Sequence, residues 1–101
     1  MFIRTKKVRY GIKLGNRYKK DLKRLVKSGY NISKLEEIID LLAQEKELPR
    51  RCKDHELKGE LKGIRECHIA PDWLLMYQKD TENIVLILIR TGTHRDVLGI
   101  E

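Results

Sequence analysis

Residues 64–90, "IRECHIAPDWLLMYQKDTENIVLILIR", decide the architecture of this chain. Three runs suited to extended backbone, "IRECHI", "WLLMYQK" and "NIVLILIR", are separated only by "APD" and "DTEN". Links that short join neighbouring antiparallel strands, so the stretch is expected to form a meander. The last run is apolar at every position from Ile84 to Ile89, which predicts a central strand covered on both faces. The same stretch crowds His68, Pro71, Asp72 and Trp73 against what should be core.

Upstream, "VRYGIKL" at 8–14 alternates Val8, Tyr10, Ile12 and Leu14 with Arg9, Gly11 and Lys13, the period of a half-buried strand. "RYKKDLKRLVKSG" then repeats apolar side chains at Tyr18, Leu22, Leu25 and Val26, with Asn16 placed to cap and Gly29 to stop a helix. A second helix is predicted from the stripe Leu35, Ile38, Ile39 and Leu42, with Ser33 and Glu36 at capping-box spacing and an end before Pro49. "RRCKDHELKGELKG", from residue 50, reads as a polar loop. The order is strand, helix, helix, strand, strand, strand. It predicts one α+β domain over 1–101, with two antiparallel helices on one face of a mainly antiparallel, four-stranded twisted sheet and room for a short C-terminal helix. The opposite face is left open for binding.

The formal charge is +7, and it is unevenly spread. Residues 1–27 carry eleven of the 22 lysines and arginines and a single acid, Asp21. A cationic face of this kind, with Lys19, Lys20, Lys23 and Arg24 on the first helix, suits a polyanion, because each neutralised phosphate releases counterions. A merely solvated basic helix is the plain alternative. Two cysteines without an apolar leader point to a reduced, cytoplasmic setting, and no run approaches the roughly 20 apolar residues that would span a bilayer.

Cys52, His55, Cys67 and His68 include the donor types of a zinc site, but Cys67 and His68 are neighbours on a predicted strand and leave opposite faces, so no metal site is expected. Acid–base chemistry fits better. Histidine exchanges protons near neutral pH, all three histidines (His55, His68 and His94) lie beyond residue 50, and "RTGTH" puts Arg90 and His94 beside a glycine turn. Each histidine taken alone is more simply a surface or core residue. Cleavage of an RNA phosphodiester needs a base for the 2′-hydroxyl, a cation for the phosphate and an acid for the departing 5′-oxygen, with no metal or other cofactor. The 2′-hydroxyl marks RNA apart from DNA. Asp72 follows Pro71 at a turn, and Trp73 opens an apolar strand where a core role is the stronger reading.

"KDHELKGELKGIRECHIAPDWLLMY" together with "RTGTH" resembles the YafQ-type mRNA interferase toxins of bacterial toxin–antitoxin systems, within the RelE/ParE superfamily. The resemblance runs from about residue 8 and includes the basic "YKKDLKRL" helix; residues 1–7 have no clear counterpart. It implies a RelE-like fold and a ribosome-dependent, metal-independent endoribonuclease that cuts messenger RNA through a 2′,3′-cyclic phosphate. By matching motif, His55 and His68 would be site histidines, Asp72 would orient or share the proton work, Arg90 would stabilise the phosphate and His94 would lead as general acid. Lys53, Arg65, Trp73, Leu98 and the first-helix cations complete the candidate substrate-binding set. Leu98 stands where family members commonly carry an aromatic, whose stacking on a base is worth roughly 1–3 kcal/mol. Implied partners are the 70S ribosome, messenger RNA and a neutralising DinJ/RelB-like antitoxin, assembled as a heterotetramer. A ParE-like gyrase binder and a non-catalytic nucleic-acid-binding module are the competing readings.

Overall fold

The computed structural model describes residues 9–98, with the Leu98 side chain outside that description. The elements are β1 (Gly11–Leu14), α1 (Asn16–Lys27), α2 (Ile32–Ala43), β2 (His55–Glu56), β3 (Arg65–Ala70), β4 (Trp73–Asp80), β5 (Val85–Gly92) and α3 (His94–Leu98). They form the expected α+β arrangement, but the sheet has five strands rather than four, in the order β1-β5-β4-β3-β2. The extra strand is the two-residue β2, in the stretch read as loop, which pairs antiparallel with β3. Two residues are too few for any periodicity to show. The other pairings are antiparallel except β1 with β5, which is parallel.

β4, not the all-apolar β5, is the central strand. Trp73 through Tyr77 are buried without interruption, whereas Val85, Ile87 and Ile89 of β5 are only half-buried. The expectation for β5 failed because only one of its faces is covered there: Leu86 and Leu88 face the helices, whereas Val85 and Ile87, although paired with β1, lie on the opposite face. β1 is itself more open than its alternation implied: Tyr10 just before it is buried, while Ile12 and Leu14 are 46% and 39% exposed. Val8 lies outside the described residues.

Cross-strand partners share a face of the sheet. Cys67, Leu75, Tyr77, Leu86 and Leu88 face the helices and join one core with Tyr18 and Leu25 of α1 and Leu35, Ile38, Ile39 and Leu42 of α2. The α2 stripe is as the sequence predicted. Its cap is Asn31, whose side chain accepts from the Ser33 backbone N–H, in place of the Ser33–Glu36 box. Asn16 is already inside α1, and the cap residue is Gly15. At the other end of α1, Gly29 takes the left-handed backbone (φ 82°), and the N–H groups of Gly29 and Tyr30 close on the carbonyls of Val26 and Leu25, a Schellman-type stop.

α1 departs most from its apolar pattern. Val26 is 56% exposed, and the middle position of the buried stripe Tyr18, Asp21, Leu25 is an acid, Asp21, 2% exposed. Register explains it. β1 ends at Leu14, paired with Leu88, so β5 runs on with an uncovered edge. Beyond that point Asp21 takes the place of a strand: its Oδ2 accepts from the Thr91 backbone N–H at 3.1 Å and from Arg90 Nε at 2.7 Å, while Arg90 Nη2 reaches Oδ1 at 3.2 Å. Burial opposes the charge on Asp21, but Arg90, the Thr91 N–H and Arg24 outweigh it and hold the carboxyl below its usual range.

Breaking such a buried pair leaves an uncompensated charge. Asp21→Asn, which keeps one acceptor but no charge, is expected to cost about 2–3 kcal/mol in urea unfolding. The folded carboxyl ionises at lower pH than the unfolded one, so its stabilisation is present above about pH 4 and is lost as pH falls through the folded value. The variant should therefore show a flatter acid limb than the parent in thermal melts across pH 2–5.

Candidate active site

The sheet face turned away from α1 and α2 carries the polar groups. Register sets His55, Glu66, Met76 and Arg90 in one row across β2, β3, β4 and β5, and His68, Leu74 and Gly92 in the next. The alternation that sends Cys67 into the core sends His68 to this face, as the adjacent positions predicted. Burial pushes the Cys67 thiol well above its ordinary range, which argues against a nucleophilic cysteine. No group of three or more His, Cys, Asp or Glu side chains is placed to hold a metal ion among the described residues.

α3 brings His94 onto this face. Its ring lies edge-on to that of His68, centroids 5.5 Å apart. Asp72, in the turn between β3 and β4, accepts from His94 Nδ1 at 2.9 Å and from the His94 backbone N–H at 3.4 Å. Those two donors hold the Asp72 carboxyl below the usual carboxylate range. The contact fixes the ring and leaves Nε2 as the nitrogen not engaged by Asp72. Gly92 makes the turn into α3: its φ is 150°, and an added Cβ would come within 3.0 Å of Arg24 Nη2 and 3.1 Å of Asp96 Cβ.

His55 occupies the other end of the first row. Its Nδ1 lies 2.7 Å from the Lys53 carbonyl oxygen, and its Nε2 lies 3.5 Å from Glu66 Oε1. Sequence reading passed over Glu66, a lone acid in an apolar strand, which is 4% exposed. The loop carrying His55 is braced by Asp54, which accepts from Tyr77 Oη and from Arg65 Nη2 at 3.1 Å. Arg65, expected to bind substrate, is thus held as a brace.

Other expected residues are also engaged in the fold. Arg90 has a side chain only 16% exposed, held by Asp21 and by donation from Nη2 to the Asp96 carbonyl at 2.8 Å; only Nη1 has no partner among the described residues. Arg24 reaches Asp21 and Asp96, each across a longer gap. Trp73, also in the candidate substrate-binding set, sits in the core: it is 4% exposed, donates from Nε1 to Thr91 Oγ1 and meets the Tyr30 ring edge-to-face. The aromatic question at Leu98 falls outside the described side chains. Lys19, Lys20 and Lys23 are exposed on α1. Other cations lie beside His68: Lys34, Arg51 and Lys53 line a cavity of about 390 Å³ with it and Pro71. Only Lys53 was singled out beforehand, because nothing local signals that a helix residue and a loop residue converge there.

Solved structures place the fold in a class, the small α+β bacterial toxins. A metal-bound toxin from Helicobacter pylori superposes with a TM-score of 0.83 at 42% identity, covering 87% of this chain and 98% of that one. The toxin in the Escherichia coli DinJ–YafQ toxin–antitoxin complex gives 0.81 at 35% identity, covering 91% and 100%. The sequence is narrower still. A family described as the bacterial toxin of type II toxin–antitoxin system, YafQ, matches residues 10–99, and the mRNA interferase toxin YafQ of E. coli K12 is 39% identical over 89 residues, 87% of this chain and 95% of that protein. The chain belongs to the YafQ family of type II toxins.

Because Arg90 neutralises Asp21, Arg90→Ala should destabilise the fold by about 3–5 kcal/mol, whatever it does to activity. Urea unfolding checks this directly, and an Arg90→Ala chain as stable as the parent would remove Arg90 from the role of brace.

Proposed function

We propose that this toxin is a ribosome-dependent endoribonuclease that cuts messenger RNA by acid–base chemistry and so arrests translation. The observation that carries the reading is the His94–Asp72 pair set edge-on to His68 on the sheet face turned away from α1 and α2, with His55 at the end of the neighbouring row. Asp72 orients His94 as a donor for the departing 5′-oxygen, while His55 or His68 takes the proton of the attacking 2′-hydroxyl. The 2′-oxygen closes on phosphorus and the P–O5′ bond breaks, leaving a 2′,3′-cyclic phosphate and a 5′-hydroxyl. Arg90 can offer a phosphate a donor through Nη1 alone, since its other nitrogens are engaged. Lys34, Arg51 and Lys53 suit the flanking phosphates, and the exposed lysines of α1 suit ribosomal RNA.

A YafQ chain is crystallised with DinJ, which supports a cognate antitoxin for this toxin. An apolar groove lined by Ile12, Leu14, Leu22 and Ile32 lies beside β1, the end strand of the sheet, and offers such a partner surface to cover. The proposed assembly is a toxin–antitoxin heterotetramer in the cytoplasm. Among the described residues no helix is long and apolar enough to cross a membrane.

The test is to map message 5′ ends on translating ribosomes. His94→Gln should lower cleavage by roughly 10²- to 10⁴-fold while the chain still melts as the parent does. Arg51→Ala should instead weaken ribosome binding and reduce its salt dependence by about one counterion, with cut sites unchanged. Intact messages in cells making the parent chain would defeat the reading, and growth arrest that survives His94→Gln would favour a binding toxin.

A further inference from the structure

Glu66 combines two properties that a stable fold does not favour together. It is buried, with a side chain 6% exposed, and its Oε2 has no hydrogen-bond partner among the described residues. Leaving such an acceptor unsatisfied costs on the order of 1–3 kcal/mol, more if it is charged. Glutamine would fill the same space at less cost. Local choices that oppose stability gather where function needs them.

Glu66 faces His55. The Lys53 carbonyl beside His55 Nδ1 can only accept, so Nδ1 carries the ring proton and Nε2 holds the lone pair of the neutral imidazole. That basic nitrogen sits 3.5 Å from Glu66 Oε1. Two acceptors at this distance gain nothing from each other. Once Nε2 takes up a proton, the same arrangement becomes an attraction between a half-exposed imidazolium and a buried carboxylate. The cation in the same row, Arg90, is held by Asp21 and does not neutralise Glu66. Met76, Glu66's other cross-strand partner, is apolar.

The geometry points to Glu66 as the positioning residue that acts through His55 and makes His55 the base of the reaction. This rests on the RNA-cleaving reading above and deepens it. The 2′-hydroxyl O–H bond breaks as its proton passes to His55 Nε2. The freed oxygen bonds to phosphorus, the P–O5′ bond breaks, and His94 protonates the leaving oxygen. Glu66 strengthens its hold on His55 only as that proton arrives, so its contribution falls on the transition state rather than on binding. The two histidine–carboxylate pairs then differ in kind. Asp72, with a side chain 70% exposed, is satisfied before reaction by His94, whereas Glu66 gains a charged partner at Oε1 only when His55 takes up a proton.

The experiment compares the parent, Glu66→Gln and Glu66→Asp in single-turnover cleavage of a defined message on programmed ribosomes, with thermal midpoints and imidazole nitrogen spectra of the free proteins. Glu66→Gln should cut about 10- to 100-fold more slowly at saturation, part of the 10²- to 10⁴-fold that a positioned base supplies, with an unchanged half-saturating ribosome concentration. Its thermal midpoint should equal or exceed that of the parent, and Glu66→Asp should recover part of the rate. The His55 ring signals should move while those of His94 stay. A Glu66→Gln protein that cuts at the parent rate overturns the proposal, as does one whose loss of rate comes with a lowered midpoint, which would mark Glu66 as structural. A parent protein that leaves the message whole on programmed ribosomes defeats the cleavage reading itself, and that is seen before any variant is compared.

Discussion

The carboxylate of Asp21 stands where a strand would otherwise be. β1 covers β5 only as far as Leu88, and the edge beyond it would present a bare N–H at Thr91 and a strand free to move. One acid on an otherwise cationic helix closes that edge, and through Arg90 it also reaches the Asp96 carbonyl in α3. α1, β5 and α3 are thereby tied at one point, and α3 is the element that presents His94. The geometry at His94 therefore depends on a buried ion pair that touches no histidine. Gly92, with no side chain to intrude, lets Arg24 and Asp96 meet over the same point.

The sheet divides its work by face. One side gives its alternate positions to a core shared with both helices, and the other carries His55, Glu66 and His68. Braces for the second side are drawn from the first: Tyr77 lies in the core yet holds Asp54 in the loop ahead of His55, and Trp73 in the core holds Thr91 beside Arg90. Small groups on a rigid sheet, fixed by packing beneath them, keep their spacing without help from substrate.

Much of this was legible in the chain. The meander, the α2 stripe and the opposite facing of Cys67 and His68 follow from periodicity, and His68, Asp72 and His94 converge as their blocks suggested. What stayed hidden depended on long-range register. Asp21 interrupts an amphipathic pattern because of where a distant strand stops, so α1 was read with Val26 buried. Arg90, Arg65 and Trp73 have the right chemistry for a phosphate or a base, and only the fold shows them engaged elsewhere. Glu66 carried no local signal, because its meaning comes from a partner on a strand two residues long. The all-apolar β5 misled because composition does not report which face of a strand lacks a covering layer.

The pleat of β3 and β4 limits how this fold can change over a lineage. Cys67 and His68, or Leu74 and Leu75, are adjacent in the chain yet belong to opposite sides of the sheet. Inserting or deleting a single codon within either strand would exchange the two sets, putting imidazole into the hydrocarbon interior and a thiol onto the surface. Length can vary safely at the "DTEN" turn or in the "KGELKG" loop, where no alternation is at stake. Homologous chains should therefore differ in size at those places and hold the count of residues between His68 and Tyr77 constant.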